Sequence, residues 1–350
     1  MDQELMKRLG LLNAIADAGD DAGDEDDMFI SSVKDANALL QMHMRYPGDA
    51  KYRKRLVEYI TNPDNKVIVE PDVYHNLIMD LFRCGDYYAA TDVCKFVLSY
   101  APMNMDILAD MMKACGDSCQ FELGEEYLKK ANKIPKNKWS WRLYLYSVDF
   151  LKTKLQAYPT NQAIFDRAEA LAKQYMQYFK LDEHGYNQLA EIYVCANMRG
   201  KAIETLYDFI LEDNLEERNG SRLICAQCCV TLLNLLDDSN DYARIIEICN
   251  RGLDCTTQEQ PSASIGFFIY RKALAMDAML RDKNYKEGDV LETMLNYQIA
   301  YDLNQGRSYA DTIEKRYALL RAYAPSDKFK PLVRRKLYVE QEDVCESENN

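Results

Sequence analysis

Apolar residues recur at three- and four-residue spacing along most of this chain, most clearly in residues 185–213, GYNQLAEIYVCANMRGKAIETLYDFILED. Tyr186, Leu189, Ala190 and Tyr193 fall at i, i+3, i+4 and i+7 and so share one helical face. Ala202, Leu206, Phe209 and Ile210 do the same after the break at Met198-Arg199-Gly200. The spacing predicts two amphipathic helices joined by a tight turn. A pair this short cannot cover its own apolar stripe and needs neighbouring pairs on both sides. Ala190 and Ala202 allow the two helices to approach closely, and Tyr193 and Phe209 fill the space beside them.

The pattern continues in both directions. Val33, Ala36, Leu39 or Leu40, and His43 precede a break at Tyr46-Pro47-Gly48-Asp49; Leu56, Val57 and Ile60 then follow, before Asn62-Pro63-Asp64. Tyr74, Leu77, Ile78 and Leu81 mark a first helix, Gly85-Asp86-Tyr87 a turn, and Ala90, Cys94, Val97 and Leu98 a second helix. Advancing by about 34 residues places Leu108, Met111, Met112 and Cys115 on one helix and Gly124, Leu128 and Ala131 on the next. The pair from Tyr144 to Phe179 is longer. Further on, 223–236 pairs with 242–253, 265–280 pairs with 285–303, and 310–322 closes the array. Prolines that follow an aromatic residue, at Tyr100-Ala101-Pro102, Ala157-Tyr158-Pro159 and Tyr323-Ala324-Pro325, stop helices where a stack of hairpins requires it. About 300 residues read as helical, against about a third of an ordinary domain. The expected class is all-α.

The stretch 185–213 and its neighbours resemble the tetratricopeptide repeat (TPR), with Tyr186 standing where that family usually has Trp. The resemblance implies a right-handed α-solenoid of about seven irregular TPR-like helical hairpins, spanning 31–328. Residues 1–16, with Leu5, Leu9 and Leu12 on one face, are expected to form an amphipathic helix that caps the stack or docks into a groove. Residues 17–30 read as an acidic flexible linker and 329–350 as a basic, then acidic, tail. The acidic run does not suit a calcium loop: counting from Asp17, the sixth position is Ala22 where glycine is needed and the twelfth is Met28 where glutamate is needed. In the tail, Phe329, Leu332, Val333 and Leu337 alternate with Lys330, Arg334, Arg335 and Lys336, as a cap or a docking surface would.

Charge and cysteine usage narrow the setting. A net charge of −13 argues against a general electrostatic attraction to nucleic acid or anionic membrane, so neither is expected as a partner. No secretory signal is visible, and no run approaches the roughly 18 apolar residues of a membrane span. A cytoplasmic location follows as the expectation. The eleven cysteines, with Cys84, Cys94, Cys195, Cys228 and Cys249 among apolar helix positions, read as reduced, small core residues.

Candidate chemistry is sparse. Cys225, Cys228 and Cys229 lie at i, i+3 and i+4, but structural zinc needs four ligands, and Cys249 is the only further cysteine that helix pairing brings into range. Three small residues packed between helices is the better reading. His43, His75 and His184 are scattered, and no metalloprotease motif, phosphate loop or nucleophile elbow occurs. The chain is expected to be non-catalytic and to need no cofactor or metal.

The TPR resemblance implies that the first helix of each hairpin lines a concave groove. The residues it presents there would be Asp72, His75, Met79 and Arg83, then Ala109, Lys113 and Asp117, then Asn187, Glu191 and Val194. Such residues suit a bound peptide, whose amides and charges they can meet. The Lys and Asn pattern of TPR domains that clamp a C-terminal carboxylate is not kept, and Asp72 and Glu191 would repel an acidic peptide; the expected partner is a neutral or basic protein or peptide. The reading at this level is a protein-interaction module that binds a partner's peptide or helix. The alternatives are a peptide-sensing regulator of the same fold, or a thiol-metal protein or enzyme using Cys225, Cys228 and Cys229.

Overall fold

The computed structural model describes residues 36–45, 50–62, 64–65, 73–211, 225–237, 239–255, 263–282, 287–304 and 309–323, together with 329 and 332. The helix expected over 1–16, the linker over 17–30, Asp72 and most of the 329–350 tail lie outside the described residues. Among those described, all regular structure is helical. Contacts divide the chain into two compact units, Met1–Lys180 and Leu181–Asn350.

Among the described residues the first unit is a run of four helical hairpins: α1 (Ala36–Arg45) with α2 (Ala50–Thr61), α3 (Val73–Arg83) with α4 (Tyr87–Tyr100), α5 (Met105–Asp117) with α6 (Phe121–Ala131), and α7 (Trp141–Ala157) with α8 (Gln162–Tyr178). Their apolar stripes are covered as the periodicity predicts. Leu39, Leu56, Ile60, Leu77, Ile78, Val97, Leu108 and Met112 are fully buried. The expanded fourth pair is real, with 17 residues in each helix. Its extra length is filled by rings: Tyr144 stacks on Tyr175 at 5.7 Å and packs against Trp139 at 5.1 Å.

The turns inside the hairpins repeat. After α3, Asp86 N–H donates to Leu81 O at 2.9 Å and Gly85, at φ +72°, donates to Phe82 O. After α5, Gln120 N–H donates to Cys115 O at 2.9 Å and Cys119, at φ +56°, donates to Gly116 O. This is the same left-handed cap used twice, and it satisfies the last helix carbonyls while reversing the chain. Gly85 and Cys119 stand one TPR period, 34 residues, apart. Asp86 then caps α4, Asn104 caps α5, Ser140 caps α7 and Asn161 caps α8, each accepting from the backbone N–H three residues on.

The hairpins press together closely at glycine. A methyl group on Gly124 of α6 would lie 2.2 Å from Cε2 of Phe150 on α7, so only a glycine lets the ring seat there.

The second unit holds α9 (Glu183–Cys195) with α10 (Arg199–Leu211), α11 (Ala226–Leu235) with α12 (Tyr242–Cys255), α13 (Ala263–Asp282) with α14 (Glu287–Leu303), and the closing helix α15 (Ala310–Tyr323). The first pair is the stretch whose periodicity was clearest. Ala190, Ala202 and Leu206 are fully buried, and Tyr186 stacks on Phe209 with centroids 4.1 Å apart. Asn197, at φ +58°, repeats the turn seen after α3 and α5, with Met198 N–H donating to Tyr193 O at 2.7 Å. At the far end a buried carboxylate, Asp277 of α13, accepts from Arg316 of α15 at 2.6 Å and from the hydroxyl of Tyr297 of α14 at 3.0 Å. Phe329 and Leu332 pack against the apolar core of α13 to α15. No helix among the described residues is long and apolar enough to cross a membrane.

Candidate functional site

In the first unit the first helices of successive hairpins, α3, α5 and α7, are joined through one residue. Asp110, in the middle of α5, is fully buried. Its Oδ1 accepts from Arg142 Nη2 of α7 at 2.6 Å, and its Oδ2 meets His75 Nδ1 of α3 at 3.0 Å. A carboxylate at that position makes Nδ1 the protonated ring nitrogen, so His75 donates. Arg142 also reaches Asp106 at 3.5 Å. A buried charge is tolerated only with partners of this kind.

Around this joint lies a band of charges and rings. Lys113 Nζ stands 5.6 Å from the ring centroids of both Phe82 and Tyr146, and the Arg142 guanidinium lies 5.8 Å from Tyr146. Lys113 donates to Asp117 Oδ2 at 2.9 Å. Burial works against its charge, but the hydrogen bond and charge of Asp117, with Asp149 and Tyr146, hold it above the usual lysine range. Arg83 pairs with Asp80 and is otherwise exposed, while Met79, one turn before Arg83 on the same helix, is half-buried. The expected positions His75, Met79, Arg83, Lys113 and Asp117 lie on α3 and α5, with His75 at the joint itself. Ala109 does not: it is fully buried. Sequence reasoning missed Asp110, Arg142 and Tyr146, of which Arg142 and Tyr146 were signalled by their i, i+4 spacing on the next first helix.

In the second unit the expectation divides. Val194 is exposed, but Asn187 is buried, its Nδ2 donating to Glu191 at 3.0 Å. The reason is the packing of α9 against α11. Glu183, at the start of α9, accepts on one carboxylate oxygen from the backbone N–H of Gln227 at 2.8 Å and of Cys228 at 3.3 Å, capping α11 from outside. Burial raises the Glu183 carboxyl above its ordinary range against those two bonds. At the other end of α11, Arg199 donates to Leu235 O at 3.0 Å and Arg271 to Leu233 O at 3.0 Å, cations placed where a helix C-terminus favours them. A cavity of about 410 Å³ opens between the second helices α10 and α12, lined by Leu211, Ala243, Ile246, Glu247, Asn250, Arg251 and Asp254.

The cysteines differ from expectation in two respects. Cys84 is exposed, because it lies in the turn after α3, and Cys195 is half-buried. Near Cys225 the neighbouring thiols are Cys255 at 3.1 Å and Cys229 at 3.9 Å, with Cys228 bonded to Glu183 O at 3.3 Å; Cys249 is not the partner. No group of three or more His, Cys, Asp or Glu side chains among the described residues is arranged to hold a metal ion.

No protein-family model matches this sequence, and no curated protein matches it. Solved structures similar to it include a monomeric mutant of IFIT1 with m7Gppp-AAAA, at 13% identity and TM-score 0.33, covering 82% of this chain and 64% of that one. They also include a human IFIT1 dimer with PPP-AAAA, at 14% identity and TM-score 0.26, covering 85% of each chain. A human IFIT1 dimer with m7Gppp-AAAA is a third, at 13% identity and TM-score 0.24, covering 82% of this chain and 81% of that one. The chain thus spans less than two thirds of the length of the first. The RNA in these structures corrects the expectation that nucleic acid is no partner. That expectation rested on net charge, whereas local clusters of Lys and Arg decide such contacts.

Proposed function

We propose that the chain is a non-catalytic binding module that captures a segment of a partner polypeptide along the band formed by α3, α5 and α7. The observation that supports this reading most directly is the Asp110 joint. By holding His75 and Arg142 from neighbouring hairpins, it ties three first helices together and keeps Arg142 beside the Tyr146 ring. Lys113, Arg142, Phe82 and Tyr146 combine charge, hydrogen-bond donors and flat apolar surface, the mixture that peptide grooves use. A pre-set face of this kind spends little on ordering its own side chains when the partner arrives.

Selection of a displayed peptide library on the immobilised chain tests the reading. Arg83→Glu combined with Lys113→Glu should weaken the selected peptides by at least about tenfold, about 1.4 kcal/mol, with the helical circular-dichroism signal unchanged. Selected peptides that bind both forms alike would sink it. So would retention of PPP-AAAA or m7Gppp-AAAA with no peptide enriched.

A further inference from the structure

We propose that Cys225 and Cys255 form a reversible dithiol site, which a small-molecule disulfide converts into an intramolecular disulfide that staples the start of α11 to the end of α12. Their Sγ atoms are 3.1 Å apart although 30 positions separate them in the chain. A disulfide bond is about 2.05 Å long, so closure needs about 1 Å of movement.

The surroundings hold this pair in place. Cys225 is the residue preceding α11, and Cys255 is the last residue of α12. The first turn of α11 cannot drift easily, because Glu183 of α9 grips the N–H groups of Gln227 and Cys228. Cys228 is directed to the Glu183 carbonyl, and Cys229 stands farther from Cys225, at 3.9 Å. Of the four thiols, Cys255 is therefore the one set closest to Cys225. Two thiols fixed near each other react as if highly concentrated, which favours the ring-closed disulfide over two mixed disulfides.

Exposure sets the order of events. Cys225 is buried and Cys255 is partly open. The Cys255 thiolate attacks one sulfur of a disulfide RSSR, expelling RS⁻ and leaving a Cys255–S–S–R mixed disulfide. Cys225, as thiolate, then attacks the Cys255 sulfur and expels the second RS⁻. The two protons released by the protein thiols end on the leaving groups, so the balance is two protein thiols plus RSSR giving one protein disulfide plus two RSH. Reduction by RSH runs the same steps backwards. The hydrogen bond to Cys225, followed by burial, pushes the attacking Cys255 thiol well up, and the hydrogen bond to Cys229, with burial, pushes the Cys225 thiol up to about 12. Exchange at neutral pH is accordingly slow, and the equilibrium position is the quantity to read.

The full chain is equilibrated anaerobically with mixtures of oxidised and reduced glutathione, quenched with N-ethylmaleimide and digested for mass spectrometry. The expected product is a 225–255 cross-linked peptide pair lacking two hydrogens, which grows as the oxidised fraction rises and disappears on return to reduced glutathione. Cys228→Ser should keep it. Cys225→Ser should leave glutathione attached to Cys255, and Cys255→Ser should leave neither product. Glutathione adducts on wild-type Cys255 with no 225–255 linkage, or a linkage between Cys225 and Cys229, would overturn the proposal.

Discussion

Arg142 Nη2 donates to Asp110 Oδ1 at 2.6 Å, and the carboxylate is fully buried while the guanidinium keeps a partly open edge. The pair therefore does two things: it neutralises a charge inside the first unit and holds Arg142 beside the Tyr146 ring. Asp110→Ala should destabilise the protein by about 1–3 kcal/mol, because it leaves Arg142 and His75, both partly open to solvent, without their shared partner. Urea unfolding measures this. In a double-mutant cycle, Arg142→Ala added to Asp110→Ala should cost much less than the two single losses added together.

Gly124 is required by Phe150. Gly124→Ala should cost about 1–3 kcal/mol, since the added carbon would overlap the ring and force Phe150 or α6 to shift. Phe150→Leu in the same chain should recover part of that loss, and a thermal melt of the three variants decides it. If Gly124→Ala melted at the wild-type temperature, the close approach of α6 and α7 would be refuted.

The matched turns at Gly85 and Cys119 make opposite predictions from one geometry. Both backbones are left-handed, which suits glycine and strains other residues by about 1–2 kcal/mol. Cys119→Gly should raise stability by about 1 kcal/mol, the greater freedom of glycine in the unfolded chain offsetting part of the relief. Gly85→Ala should lower it by a similar amount. Denaturant midpoints of the two variants, shifted in opposite directions, would check both.

Glu125 carries a pH signature. Burial alone would raise its carboxyl, but Arg167, which grips both oxygens at 2.9 and 2.7 Å, and Lys154, at 2.8 Å, hold it below the ordinary value of 4.5. An acid with a lowered folded pKa adds stability that is fully present above its unfolded value and is lost as pH falls through the folded value. Stability should therefore decline below about pH 4.5 on account of this residue. Glu125→Gln should flatten that part of a stability-against-pH curve while lowering stability at neutral pH. A curve of unchanged slope would show that the cluster does not couple to folding.

Much of the architecture is legible in the sequence. Tyr186, Leu189, Ala190 and Tyr193 lie on one face, as do Ala202, Leu206, Phe209 and Ile210, because a helix repeats every 3.6 residues whatever surrounds it. The turn at Gly85 and the lengthened pair from Tyr144 to Phe179 were legible for the same local reason. The positions of His75, Arg83 and Lys113 on first helices followed from phase within the repeat. Their neighbours did not. Nothing local distinguishes Asp110 from Asp117; its burial depends on Arg142, 32 residues away, and His75, 35 residues away. Asn187 was placed on an open face because periodicity says which residues share a side of α9 but not that α11 covers that side.

Local spacing and residue type were thus enough to determine an all-α chain of paired helices, the order of the pairs and the apolar stripe of each, since these depend on contacts within one or two turns. Tertiary structure alone decided which thiol meets Cys225, which carboxylate is buried among cations, and which glycine admits a ring from the next hairpin. Those outcomes depend on how neighbouring hairpins settle to within about an ångström, and the pressures that set it, close packing and the cost of unpaired buried charge, act between residues that no short stretch of sequence contains.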